Sequence, residues 1–255
     1  MIGRKRWALA LVWSCAGACQ AAVTVSGQVL HTGPVSLEHN ARLLDVMTAA
    51  QPDAQGYWLG AAWLHRPLLE RQTRLKAGVL FDLDTLRQAA LAAGHESRAH
   101  QAARLYQQVL ALPVTGRQVA VLDPVAVEVG FAPNPLVSDG DQLIYPTRPE
   151  GVRILGAVAE PCTLTFQPLR QARDYLDGCR PVADADPDYL WLIQPDGHVT
   201  RLGIAPWNRE EGPAPAPGST LLVPVRNDDL DPPTPELNQQ LAEFLATQPL
   251  AEVTP

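Results

Sequence analysis

An internal repeat restricts this chain more than any other feature. Val23-x-Val25-x-Gly27-x-Val29 returns as Val152-x-Ile154-x-Gly156-x-Val158, an offset of 129 residues. Apolar residues at every second position fit a strand with one buried face, and the glycine marks a point where backbones approach or bend. At the same offset Asp45, in Arg42-Leu43-Leu44-Asp45-Val46, meets Asp174, in Gln171-Ala172-Arg173-Asp174-Tyr175, and both segments read as short helices. Their aspartates share a structural role more readily than they form a catalytic pair. Tyr57-Trp58-Leu59 is similar to Tyr189-Leu190-Trp191-Leu192 and is expected as an aromatic-rich strand. A last match pairs Gly140-Asp141-Gln142-Leu143-Ile144-Tyr145-Pro146 with Gly218-Ser219-Thr220-Leu221-Leu222-Val223-Pro224, at an offset of only 78.

The two offsets, 129 and 78, differ by 51 residues, so the first copy carries an insertion of about that length. Residues 67–112 supply it. Leu68, Leu69, Leu75 and Val79 predict one helix, and Thr85 to Ala93 a second, capped by Asp84 and stopped at Gly94. Ser97 to Leu112 predict a third, ending at Pro113. Each copy then runs strand, strand, helix, strand, turn, strand, the order of a β-grasp. The expected fold is α+β, with a first β-grasp domain over 22–149, helical insertion 67–112 included, and a second over 150–226. An acidic, proline-rich linker from Asn227 leads into a C-terminal amphipathic helix within 227–255. Thr234-Pro235-Glu236 is its start signal, and Leu237, Leu241, Phe244 and Leu245 share one face. That face packs on its own domain, or inserts into a partner or a membrane. The polar side, with Asn238, Gln239 and Glu243, lacks the lysines and arginines of a membrane-surface helix.

At the N-terminus Arg4, Lys5 and Arg6 precede an apolar stretch that begins at Trp7 and runs into small residues. This is the pattern of a cleavable export signal over 1–21. The stretch is shorter than the ~20 apolar residues that span a bilayer. An uncleaved anchor and lipidation at Cys19, in Ala16-Gly17-Ala18-Cys19, are the alternatives. Cleavage after Ala21 would leave two cysteines, Cys162 and Cys179, in an oxidising compartment. One disulfide is then expected, with two buried thiols as the other possibility. The expected location is the periplasm.

Composition removes several function classes. With 20 Lys+Arg against 27 Asp+Glu, the net charge of -7 offers no basic field for nucleic acid. The lysines are Lys5 and Lys76, which leaves almost nothing for Schiff-base chemistry. Gly-x-Ser-x-Gly, phosphate-loop and His-Glu-x-x-His patterns are missing, so no catalytic residue, metal or cofactor is expected. Asp82-Leu83-Asp84 reads as a helix start rather than a sugar-nucleotide metal motif. Asp184-x-Asp186-x-Asp188 opens like a calcium loop, but Pro187 interrupts it and the turn glycine is missing.

Sugar binding fits the residues better. Aromatic faces cover the apolar patches of sugar rings, and arginine forks onto acidic groups. Trp207-Asn208-Arg209 forms the clearest local cluster, and Arg117 is a candidate donor to an anionic glycan. The competing readings are a core tryptophan at 207 and an interdomain ion pair at 117. Tyr57, Trp58 and Trp191 are expected in the core.

Several segments together resemble the periplasmic capsule-biosynthesis GfcC family. They are Leu112-Pro113-Val114-Thr115-Gly116-Arg117, Gly140 to Pro149, Val152-Arg153-Ile154-Leu155-Gly156, Ala185 to Trp191, Pro195-Asp196-Gly197 and Trp207-Asn208-Arg209. The resemblance is strongest from about 112 to 225. It implies two β-grasp domains, a helical hairpin inserted in the first and a C-terminal amphipathic helix. It also implies kinship with the soluble-ligand-binding β-grasp modules of polysaccharide export proteins. The implied role is accessory, in capsule or exopolysaccharide assembly or export, with polysaccharide or export proteins as partners. Arg117 would line a groove between the domains. A glycan-processing enzyme, or a structural module docking through its C-terminal helix, are the alternatives. Membrane association would require lipidation at Cys19 or that helix.

Overall fold

The computed structural model describes residues 22–36, 40–227 and 229–250. The leader over 1–21 and Cys19 lie outside the described residues.

Strand β1 (Ala22–Gly27) pairs antiparallel with β2 (Gly33–Ser36). Helix α1 (Leu43–Ala50) follows, and the Asp45 carboxylate accepts the Arg42 N–H at 2.7 Å, satisfying a donor at the helix start. Leu43, Val46 and Met47 of α1 pack on Val23 and Val25. The chain continues through β3 (Ala62–Leu64), α2 (Leu69–Ala92), α3 (Glu96–Ala111), β4 (Arg117–Gln118), α4 (Pro124–Glu128) and β5 (Gln142–Tyr145). Asp123 accepts the Val125 N–H to start α4. The strand order is β2-β1-β5-β3-β4, with β1 and β5 parallel.

The second unit repeats this plan. Strands β6 (Gly151–Gly156), β7 (Cys162–Thr165), β8 (Tyr189–Ile193), β9 (Val199–Gly203) and β10 (Thr220–Val223) form a sheet in the order β7-β6-β10-β8-β9, with β6 and β10 parallel. A 3-10 turn, Ala172–Asp177, stands where the first unit has α1. The correspondence reaches single hydrogen bonds. Gln28 N–H donates to Tyr145 O, and Ala157 N–H to Val223 O, at the same two offsets. Gly27 and Gly156 have φ of 92° and 101°, and a Cβ there would sit 2.0 and 2.1 Å from those same carbonyl oxygens. The repeated glycine is therefore required by the backbone at both places.

Two expectations are corrected here. The insertion holds two helices, not three. Asp84, read as a cap, lies inside α2, where its carboxylate accepts from the Arg87 guanidinium and, at 2.6 Å, the Gln88 amide. The same placement removes Asp82-Leu83-Asp84 as a helix start. Leu75, Val79, Leu83 and Leu86 keep one apolar stripe through the supposed break, and the helix stops at Gly94, whose φ is 76°. The aromatic strand of the first unit was also set at the wrong place. Tyr57 precedes a 3-10 turn, Trp58–Gly60, and the strand is Ala62–Leu64, which aligns with Trp191–Ile193 at the common offset of 129. Trp58 is 44% exposed and Trp63 is the buried tryptophan.

Helix α5 (Leu237–Ala246) carries the expected apolar face, and that face is covered within the chain. Leu241 and Phe244 join Leu83, Leu86 and Leu105 of the inserted hairpin on the outer face of the second sheet, around Ile193 and Leu222. The hairpin thus leaves the first unit and packs on the second. Charges fix it there: Arg98 of α3 is buried between Asp184 and Asp229. Arg104 donates to the carbonyls of Gly156, Val158 and Ala159. Cys162 and Cys179 form a disulfide that ties β7 to the end of the 3-10 turn. In the chain-entropy picture a loop of that size is stabilised by about 3 kcal/mol.

Candidate functional site

The Val114-Thr115-Gly116-Arg117 segment leaves α3 and enters β4 at the junction of the two units. Thr115 Oγ1 donates to Thr247 O at 2.7 Å, and Gln72 bridges Gly116 N–H and Arg117 O. Arg117 is 4% exposed. Its guanidinium donates to Ala61 O of the first unit, Pro195 O of the β8–β9 turn, and Ala246 O and Gln248 O at the end of α5. Nε has no partner. Burial pulls the Arg117 guanidinium down to about 10, against the opposing attraction of Asp196. The arginine expected to line a groove is therefore sealed between three segments. Among the described residues it forms no ion pair, and the carbonyl dipoles, with the longer-range attraction of Asp196, stabilise its charge.

Trp207 stands elsewhere, in the loop after β9. It is 68% exposed, so it is not a core residue. Its indole N–H donates to Asp188 Oδ1 at 3.1 Å, and its ring meets Tyr189 edge-on with centroids 6.4 Å apart. On the same tyrosine the Arg201 guanidinium lies 3.5 Å from the ring centroid. Asn208 is half-buried and donates to Asp188 O at 3.0 Å, which anchors the loop, while Arg209 is exposed. Tyr189 and Arg201 were missed as site residues. No sequence pattern pointed to them, because their meeting depends on the register of β8 and β9, which sets Trp191 opposite Arg201 and Tyr189 opposite Gly203.

The aspartate triplet does not converge. Asp184 pairs with Arg98, Asp186 accepts the Asp188 and Tyr189 N–H groups, and Asp188 holds Trp207. Among the described residues no group of three His, Cys, Asp or Glu side chains is placed to hold a metal.

A second aromatic group lines a cleft of about 460 Å³ between the units, with Tyr57, Trp58, Arg148 and Phe166 around it. Arg148 lies 5.8 Å from the Tyr57 centroid, and Tyr57 Oη donates to Pro217 O at 2.9 Å across the junction. Burial pushes the Tyr57 phenol up to about 12, against the pull of Arg148.

One buried polar pair had no sequence signal. Asp141 is fully buried and accepts from Trp63 Nε1 at 2.8 Å and Ser138 N–H at 2.9 Å, with His65 Nδ1 3.0 Å away. The second unit fills the same positions with Ser219 and Gln194, 2.8 Å apart, and with Ala216 N–H donating to Ser219. A carboxylate and a hydroxyl thus serve one structural purpose, ordering the turn before the last strand.

Comparison with known proteins agrees with this layout. The uncharacterized protein YjbG of Escherichia coli (strain K12) is 34% identical over 156 residues, which are 60% of this chain and 63% of that protein. The chain thus spans less than two thirds of that relative's length. The family profile for the capsule biosynthesis GfcC N-terminal region matches residues 19–148, and the C-terminal one matches 160–249. With the two profiles falling on the two sheet units in order, the chain belongs to the capsule biosynthesis GfcC family.

Proposed function

We propose that this protein is a non-enzymatic, periplasmic accessory factor for capsule or exopolysaccharide assembly or export, built on two β-grasp modules and binding glycan on the second. The observation that carries the reading is Trp207, an exposed tryptophan whose ring is held in one orientation by Asp188 and braced by Tyr189. A pre-ordered aromatic face binds a sugar ring without further loss of rotamer freedom. Arg201 and Arg209 add exposed cations beside it, which suit an acidic glycan. The family and the disulfide are consistent with a protein outside the cytoplasm. Among the described residues no helix is long and apolar enough to cross a membrane.

Neither the cleft beside Tyr57 nor the groove beside α5 has an aspartate or glutamate among the described residues of its walls, which disfavours glycoside cleavage by paired carboxylates there. Docking on an export component is the second reading. It is favoured by Val125, Val129 and Phe131, which are 63%, 59% and 91% exposed on and just after α4. The apolar face of α5 is covered and supports neither membrane nor partner docking.

Calorimetric titration with oligosaccharides from the surface polysaccharide of the source tests the glycan reading, with neutral and acidic fragments in separate arms. The expected result is saturable binding that Trp207→Ala weakens by at least tenfold without lowering the melting temperature. An absence of binding to either class removes it.

A further inference from the structure

We infer that the groove between α3, α5 and strand β6 binds a single-chain amphiphile with an anionic head group. The groove has a volume of about 720 Å³, within the range of small-molecule sites. Its walls are Leu105 and Val109 of α3 and Leu241 and Leu245 of α5, and its floor is Leu155 on the outer face of β6. These side chains are already the edge of the helix–sheet core, so the groove is an unfilled continuation of that core. No aromatic ring lines it, which sets it apart from the Trp207 platform and makes it a poor receptor for sugar rings. Aliphatic walls of this kind take up a flexible hydrocarbon chain.

The head group follows from charge. Arg153 is the sole charged residue among the described residues of the lining, and its guanidinium reaches one neutral partner, Thr220 Oγ1, at 3.2 Å. No carboxylate among the described residues of the lining opposes an incoming anion. A planar guanidinium at the rim of an apolar slot matches a carboxylate or a phosphate in bidentate geometry. An extended peptide is a poor alternative, because β6 is paired on both sides, by β7 and β10, and offers no free strand edge.

The experiment uses the purified protein with dodecyl phosphate and dodecanoate below their micellar concentrations, dodecyl maltoside as the neutral-headed control and inorganic phosphate as the head group alone. One-to-one calorimetric binding of one or both anionic amphiphiles is expected, tighter than dodecyl maltoside by at least tenfold, and which of them binds names the head group. Arg153→Gln should reduce that preference at least tenfold, and Leu155→Trp, which fills the floor, should weaken every chain-bearing ligand. Both variants should melt with the wild type, and Trp207→Ala should leave amphiphile binding unchanged. Failure of both anionic amphiphiles to bind overturns the proposal. So does equal affinity for dodecyl maltoside, or unchanged binding in either groove variant. The glycan reading is untouched by each of these outcomes, since Trp207 is not part of the groove.

Discussion

Gly27 and Gly156 tie sequence to structure most directly, because each is a backbone necessity that the repeat displays in plain letters. An added methyl at either would collide with the carbonyl of the residue that ends the neighbouring parallel strand, Tyr145 or Val223. Gly27→Ala and Gly156→Ala should each destabilise by more than about 3 kcal/mol, since steric overlap adds to a positive-φ penalty; equilibrium urea unfolding measures this. Arg117 was equally visible as a residue but not as a role. Its partners are carbonyls far along the chain, at 61, 195, 246 and 248, and no local pattern points at them. Arg117→Ala leaves buried carbonyls unpaired and should cost about 2–4 kcal/mol, read as an earlier urea midpoint with glycan affinity unchanged in the native range. Trp207 could be singled out from its neighbours, while its exposure depended on Asp188 and Tyr189, which only the folded sheet brings beside it.

Among the elements, legibility followed length and alternation. β1 and β6 show their buried face at every second residue and were read in register. β3 has three residues, all buried, so it carries no alternation, and the aromatic pair Tyr57-Trp58 drew the strand assignment several residues too early. In α2 the acidic pair Asp82/Asp84 imitated a helix start, although the apolar stripe runs straight through it. The attachment of the inserted hairpin to the second unit was invisible in the sequence, because it depends on Arg98 meeting Asp184 and Asp229 from distant segments. That contact is pH-sensitive. The hydrogen bond from Arg98 holds the Asp229 carboxyl below its ordinary 3.8, burial pushes the other way, and the nearby positive charge adds to the lowering. A carboxyl lowered in the folded state contributes stability that is present above 3.8 and is lost as pH falls through the lowered value. Denaturation midpoints of the wild type should therefore fall more steeply than those of Asp229→Asn as pH drops below about 4. The effect is modest because Asp229 is nearly half exposed.

For the whole molecule, two copies of one sheet are joined by what the first copy lends to the second. The hairpin and α5 form a shared helical layer, so the C-terminal helix is part of the fold rather than an appendage. Leu237, Leu241 and Phe244 are fully buried there, and each contributes about 1.5–3 kcal/mol. A chain ending at residue 236 should lose cooperative thermal unfolding, or melt far below the full chain, in a calorimetric scan. A truncated chain that melts like the wild type would mean that α5 docks on the body without supporting it. The duplication itself was legible because both copies keep the same glycine and the same closing strand. The division of labour proposed above was not, since the aromatic platform around Trp207 needs β8, β9 and the Trp207 loop together.

That division is tested most directly by following the indole N–H resonances of the ¹⁵N-labelled protein while acidic oligosaccharide from the surface polysaccharide is added. The Trp207 resonance should shift in a saturable way, while that of Trp63, buried against Asp141, stays in place. Titration to saturation with no movement at Trp207, or movement confined to Trp58 in the cleft between the units, would contradict glycan binding on the second unit.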